Sequence, residues 1–145
     1  MKPPSPTLVV DAAVLVAAAR GRSSGAIIEA SRSRVLVTTD RAVREARRRI
    51  ELGLKRADLL AVVDALAAEM TVVPVVSLEP NLPDSTRALK DAVAGGNGSV
   101  KDAHVLALAW RAGADIWTTD RDFAGTGVAS WSTPNLMRGL AWSTT

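Results

Sequence analysis

The sequence predicts an α/β sandwich built on a mostly parallel sheet, and three observations carry that prediction. Short apolar runs such as TLVV at 7–10 and TVVPVV at 71–76 lack the alternation of a half-exposed strand, as expected for strands covered on both faces. Segments with helical spacing of apolar residues stand between them, as in Leu59, Leu60, Val63, Leu66 and Ala67. The two kinds of segment alternate along the chain, with no internal repeat and no linker long enough to divide it. The chain has 145 residues, enough for one domain with a real core and too few for two, so the expectation is a single domain over 1–145.

Each element has its own local signal. Residues 1–6, carrying KPPSP, read as an extended, frayed leader. TLVV is a short buried strand ending at Asp11, and AAVLVAAAR is the helix that follows. Ser23 or Ser24 caps a second helix through IIEASRS. VLVTT, after Arg34, is β-branched and reads either as a short strand or as the lead-in to the next helix. Asp40 is the expected N-cap of AVREARRRIEL, with Gly53 as its stop, and a further helix runs over 57–70. Pro74 makes TVVPVV an edge strand or a broken one. A turn-rich LEPNLPD leads to the short helix STRALKDAVAG, and GGNGS is expected to be a mobile loop beside the site. Asp102 opens the helix AHVLALAWRAG, closed by Gly113. ADIWTT is a strand ending at Asp120, VASWS is the last strand, and TPNLMRGL is a final helix with Pro134 in its first turn.

Composition excludes several function classes. Hydrophobic residues make up 48% and charged residues 23%, the balance of a folded globular protein. No apolar stretch approaches the ~20 residues of a membrane span. A secretion signal at the start is rejected, because Asp11 interrupts the apolar run and three prolines precede it. With no cysteine there is no disulfide framework, thiol nucleophile or thiolate zinc site, and a cytoplasmic location is the expectation. Net charge is only +3, but its distribution is uneven. Arg41, Arg44, Arg47, Arg48, Arg49, Lys55 and Arg56 crowd one stretch, and Arg20, Arg22, Arg32 and Arg34 another. A basic surface beside an acidic pocket suits a polyanion held by its backbone, although a solvated helix face has the same appearance.

The chemistry rests on acids at the ends of apolar runs: Asp11, Glu45, Asp102 and Asp120, with Asp122 as a further oxygen donor. In a parallel sheet the strand carboxyl ends open on one edge, which brings Asp11 and Asp120 to the same crevice. Asp102 stands at a helix N-terminus, where a carboxylate is favoured by about 0.3–1 kcal/mol. Carboxylates gathered there need neutralising, and a hard divalent cation, Mg²⁺ or Mn²⁺, is the economical way. Such an ion makes water a nucleophile near neutral pH and orients a phosphodiester, so no side-chain nucleophile is required. Each acid also has a plain structural reading. Asp11 and Asp102 are natural helix caps, and Asp120-Arg121-Asp122 is a turn. Glu45 is one half of an i, i+4 pair with Arg41 or Arg49. His104 reads as a group supporting the site or lying at the surface, and Trp110, Trp117, Trp131 and Trp142 as core or interface anchors. Gly95, Gly96 and Gly98 resemble a phosphate loop only in composition.

The LVVD start, the acid in the third helix, KDAHVLALAWRAGADIWTTDRDF and the closing WSTPNLM together resemble the PIN domain family over Thr7 to Leu140. More narrowly, they resemble the VapC-like toxins of bacterial toxin–antitoxin pairs. The resemblance implies a PIN-like α/β/α sandwich. It also implies an Mg²⁺- or Mn²⁺-dependent endoribonuclease acting on structured RNA such as tRNA or rRNA. Asp11, Glu45, Asp102 and Asp120 match its acidic metal-binding quartet, with Asp122 accessory. A cognate antitoxin protein and a homodimer are implied as partners, and no membrane. One departure stands out: the family places Ser, Thr or Asn just after the first Asp, where this chain has Ala12 and Ala13. Loss of that polar group weakens support of a bound metal. It motivates a second reading, a weakened PIN module that binds RNA or a protein without cutting. A third reading, a receiver-type protein phosphorylated on Asp11, lacks both a second acid two residues on and a basic partner after a late strand.

Overall fold

The computed structural model describes residues 2–22, 24–92, 100–119 and 123–143. Its elements follow in order as β1 (Thr7–Val10), α1 (Ala12–Ala19), α2 (Ser24–Ser31), β2 (Val35–Thr39), α3 (Asp40–Arg48), α4 (Leu60–Ala68), β3 (Thr71–Val73), α5 (Leu82–Ala92), α6 (Ala103–Ala112), β4 (Asp115–Trp117), β5 (Ser130–Trp131) and α7 (Thr133–Ser143). The five strands form one sheet in the order β3-β2-β1-β4-β5, and every ladder is parallel.

Residue alternation within each strand fills both faces. Leu8, Val10, Leu36 and Trp117 point to one side, into a core shared with α1, α2, α3, α4 and α7. Val9, Val37 and Ile116 point to the other, where Leu89 of α5 and Leu106 of α6 cover them. The result is three layers with the sheet in the middle, which explains why the strands read as continuous apolar runs. VLVTT resolves as a strand because β1 on one side and β3 on the other complete its ladders. TVVPVV is the edge strand, ended by Pro74, and Val75–Asn81 then coils into a 3₁₀ segment.

Several boundaries differ from expectation. The leader is pinned rather than frayed. Pro4 is buried, the Ser5 N–H donates to Asp115 Oδ2 at 2.9 Å, and the Val35 N–H donates to the Pro6 carbonyl at 2.9 Å. The cap of α3 is Thr39, whose hydroxyl accepts from the Ala42 N–H, and Asp40 is the first helical residue. The helical run ends at Gly53, as expected. Its last turn widens into a π turn over Arg49–Gly53, and the reversal falls on Lys55 at φ 54°. The helix expected at STRALKDAVAG starts earlier, at Leu82, and the one expected over 57–70 begins with a 3₁₀ turn at Ala57–Leu59. Ser23 and the GGNGS segment lie outside the described residues. No helix among the described residues is long and apolar enough to cross a membrane.

Candidate active site

The chain runs outward from β1 to β2 and β3, then returns to place β4 on the other side of β1. The carboxyl ends of β1 and β4 therefore flank a topological switch point, where open α/β sheets form a crevice. Buried polar residues gather there. Of the buried set Asp11, Thr38, Thr39, Ser85, His104 and Thr118, all but Ser85 lie at the ends of β1, β2 or β4 or in the first turn of α6. Keeping that many polar groups from water is costly unless they bond to one another.

They do. Asp11 is 7% exposed and caps α1: its Oδ1 accepts from the Val14 N–H at 3.1 Å. Its Oδ2 accepts a short hydrogen bond from the Thr118 hydroxyl, and its own N–H donates to the Trp117 carbonyl at 3.2 Å. The Thr118 hydroxyl thus reaches Asp11 from across the switch point. The Thr38 hydroxyl donates to the Val10 carbonyl at 2.7 Å, fastening β2 to the end of β1. Thr39 Oγ1 and His104 Nδ1 lie 2.8 Å apart, linking the start of α3 to the start of α6. Burial pushes the His104 imidazole down to about 4, with the Arg41 charge adding to the effect and Asp40 opposing it. His104 is therefore neutral near pH 7. It is a buried strut rather than a surface group.

Asp11, Glu45 and Asp102, all expected from the sequence to belong to the site, line one narrow cleft together with Ala12, Ala13, Arg49 and His104. Its cavity volume is about 10 Å³, on the order of a single water. Glu45 reaches the cleft from inside α3, but its Oε1 accepts from the Arg49 guanidinium at 3.0 Å. Asp102 sits at the N-cap position of α6 without a side-chain capping bond to that helix. Asp120 and Asp122 lie outside the described residues. Among the described residues no three His, Asp or Glu side chains are grouped closely enough to hold one ion. The donor set is nevertheless the kind a hard cation takes, because each carboxylate oxygen that accepts one hydrogen bond keeps a second lone pair.

A second, larger cavity of about 580 Å³ adjoins the cleft, lined by Arg41, Arg44, Arg48, Leu52 and Lys101. Glu45 and Arg49 line both spaces and form their common wall. The acids were named from the sequence; the Thr39–His104 and Thr118–Asp11 contacts were not. A signal for them exists in the chain, since β2 and β4 both run into Thr-Thr-Asp, at 38–40 and 118–120. A polar pair at the carboxyl end of a buried strand marks the edge where buried hydrogen bonds must be made.

Comparison with known proteins agrees with this architecture. A model of the PIN domain family matches residues 9–141. The crystal structure of PAE2754 from Pyrobaculum aerophilum is similar in fold, with a TM-score of 0.66 and 22% identity over 94% of this chain and 90% of that one. No curated protein matches. With the parallel sheet, the acid-lined switch point and the family match over nearly its whole length, the chain belongs to the PIN domain family, whose fold is commonly that of nucleases.

Proposed function

We propose that this PIN domain is an Mg²⁺- or Mn²⁺-dependent endoribonuclease, the toxin of a type II toxin–antitoxin pair, acting on structured RNA such as tRNA or rRNA. The observation that carries the reading is the shared wall: a cleft of three acids opens beside a groove of arginines, with Glu45 and Arg49 belonging to both. Asp11, Glu45 and Asp102, with Asp120 and Asp122, would hold the cation. When bound, it supplies charge neutralisation at the phosphate and acidity to a water. The chain's own groups do the rest. Thr118 and the Val14 N–H fix the Asp11 carboxylate, and the Thr39–His104 contact fixes the two helices that carry Glu45 and Asp102. Arg41, Arg44 and Arg48 grip the strand's phosphates. Hydrolysis adds the water oxygen to phosphorus, breaks the ester bond and returns a proton to the leaving oxygen. A cognate antitoxin that silences the cleft, a homodimer and a cytoplasmic setting belong to the same proposal.

The test is RNA cleavage with and without divalent metal, in the parent and in Asp102→Asn. The reading expects cleavage that chelation stops and that Asp102→Asn abolishes while the melting temperature holds. A variant cutting at the parental rate overturns it. A second reading, a module that binds RNA without cutting, is favoured by the Glu45–Arg49 pair, which neutralises one acid internally, and by Ala12 and Ala13 in the cleft wall. Calorimetry separates the two: absence of divalent binding at millimolar metal, with RNA binding intact, selects the second.

A further inference from the structure

The fold re-sorts the arginines. Arg56, a neighbour of the α3 cluster in sequence, joins Arg20 and Arg22 around another depression, of about 420 Å³, floored by Ala19, Leu54 and Leu59. The end of α1 explains the pairing. The Gly21 N–H donates to the Ala18 carbonyl and the Arg22 N–H to the Ala17 carbonyl, each at 3.0 Å, and Gly21 takes φ 84°. This helix stop needs a left-handed residue, and it sets Arg20 and Arg22 on either side of the glycine.

This depression shares no lining residue with the acid cleft or with the groove beside it, yet it is close to the groove. Leu52 lines the groove and Leu54 the depression, and two residues of chain span at most about 7 Å. Among the described residues no ion pair engages Arg20, Arg22, Arg41 or Arg48. Arg56 is held by Asp58 at 2.9 Å. Uncompensated positive charge is thus present on both sides of one turn of chain.

We propose that the Arg20–Arg22–Arg56 depression is an RNA exosite: one strand lies with its phosphates along the groove beside the cleft, crosses the turn at 52–54 and is held again by Arg20 and Arg22. The identification of the polyanion as RNA rests on the ribonuclease reading. Because Leu52 and Leu54 lie so close, a short step of the strand backbone bridges the turn. Guanidinium forks match phosphate oxygens in pairs. The floor offers little apolar surface for anchoring a peptide, whereas backbone binding of a nucleic acid is driven by charge and needs little.

The experiment measures binding of labelled single-stranded RNA of about 4 and about 12 nucleotides, in chelator, across a salt series. Arg20→Gln/Arg22→Gln is expected to weaken the longer RNA about tenfold and to lower the slope of log K against log salt by about 1.4, two contacts at ~0.7 each. The short RNA stays within about twofold, because it is held in the groove alone. Arg41→Gln/Arg48→Gln weakens both lengths. Unchanged binding of the longer RNA by the Arg20/Arg22 variant, or equal loss at both lengths, overturns the exosite. So does a variant that loses polyglutamate but keeps RNA, which assigns the depression to an acidic protein partner. Because chelator prevents cutting, an inactive enzyme that keeps the length signature sinks the ribonuclease reading and leaves the exosite standing.

Discussion

Asp11 and Asp115 sit at opposite edges of the same sheet, one just past the carboxyl end of β1 and the other at the amino end of β4. Both accept two described hydrogen bonds. Asp11 takes them from the Val14 N–H and the Thr118 hydroxyl. Asp115 Oδ2 takes them from the Ser5 N–H and the Trp131 indole N–H, each at 2.9 Å. What separates them is company. Asp11 shares its cleft with Glu45 and Asp102, whereas the cavity that Asp115 lines is shared with Trp110, Trp131 and Lys2 and, among the described residues, with no other acid. A hydrogen-bonded aspartate is thus a fastener at one edge and one of three carboxylates lining a cleft at the other. Neither burial nor hydrogen bonding alone tells the two apart.

The contrast is broken most directly by Asp11→Asn, which keeps an N-cap side chain but removes the charge. RNA cleavage is expected to fall about a thousandfold, the upper scale for losing one charge-stabilising group, with the fold intact by circular dichroism. Asp115→Asn is expected to leave turnover per folded molecule unchanged; equal losses in the two variants would erase the distinction between the edges.

His104 sharpens it next. Its folded value of about 4 lies below the ordinary 6.5, so the neutral ring stabilises the fold above pH 6.5 and that contribution is lost as pH falls from 6.5 towards 4. The difference is about 3 kcal/mol. His104→Gln is expected to flatten that part of the stability curve in urea titrations, with Arg41 and Asp40, the charges facing the ring, left in place. A variant curve parallel to the parent's would show that the ring is not held neutral.

At the amino edge, Asp115→Ala leaves the Ser5 and Trp131 donors without their acceptor. It is expected to cost about 1–3 kcal/mol in thermal unfolding while cleavage at low temperature persists. The smallest effect belongs to Gly139→Ala in α7. A Cβ there would lie 3.0 Å from Pro4 Cδ and 3.1 Å from Trp131 Cζ3. The strain outweighs the gain in helix propensity, for a net loss of about 1 kcal/mol. A gain in stability would mean that the leader yields easily.

Sequence and structure agree most closely where the signal is local. TLVV is readable as a strand because burial on both faces demands an unbroken apolar run, ADIWTT yields a shorter strand than expected, Asp115–Trp117, and Gly113 stops α6 as its position suggests. Strand polarity alone sends Asp11 to the carboxyl edge, whereas Asp102 was legible from a helix N-terminus and Glu45, inside a helix, chiefly from the family resemblance. What could not be read depends on distance. Pinning of the leader requires Asp115, 110 residues away from Ser5. The π turn that closes α3 and the left-handed Lys55 that follows it have no compositional mark. The regrouping of Arg56 with Arg20 and Arg22 follows from that turn and from the packing of α1 against α4, neither of which a linear count of charges contains.

The position of β1 between β2 and β4 has a consequence for how the protein is born. A ribosome that has completed α5 has already made Asp11 and Glu45, but neither Asp102 nor the strand whose Trp117 carbonyl and Thr118 hydroxyl hold Asp11. The central ladder closes only when β4 emerges, so a truncated nascent chain has no finished cleft. For an enzyme with the proposed activity, the translation machinery is thereby spared its own half-made product.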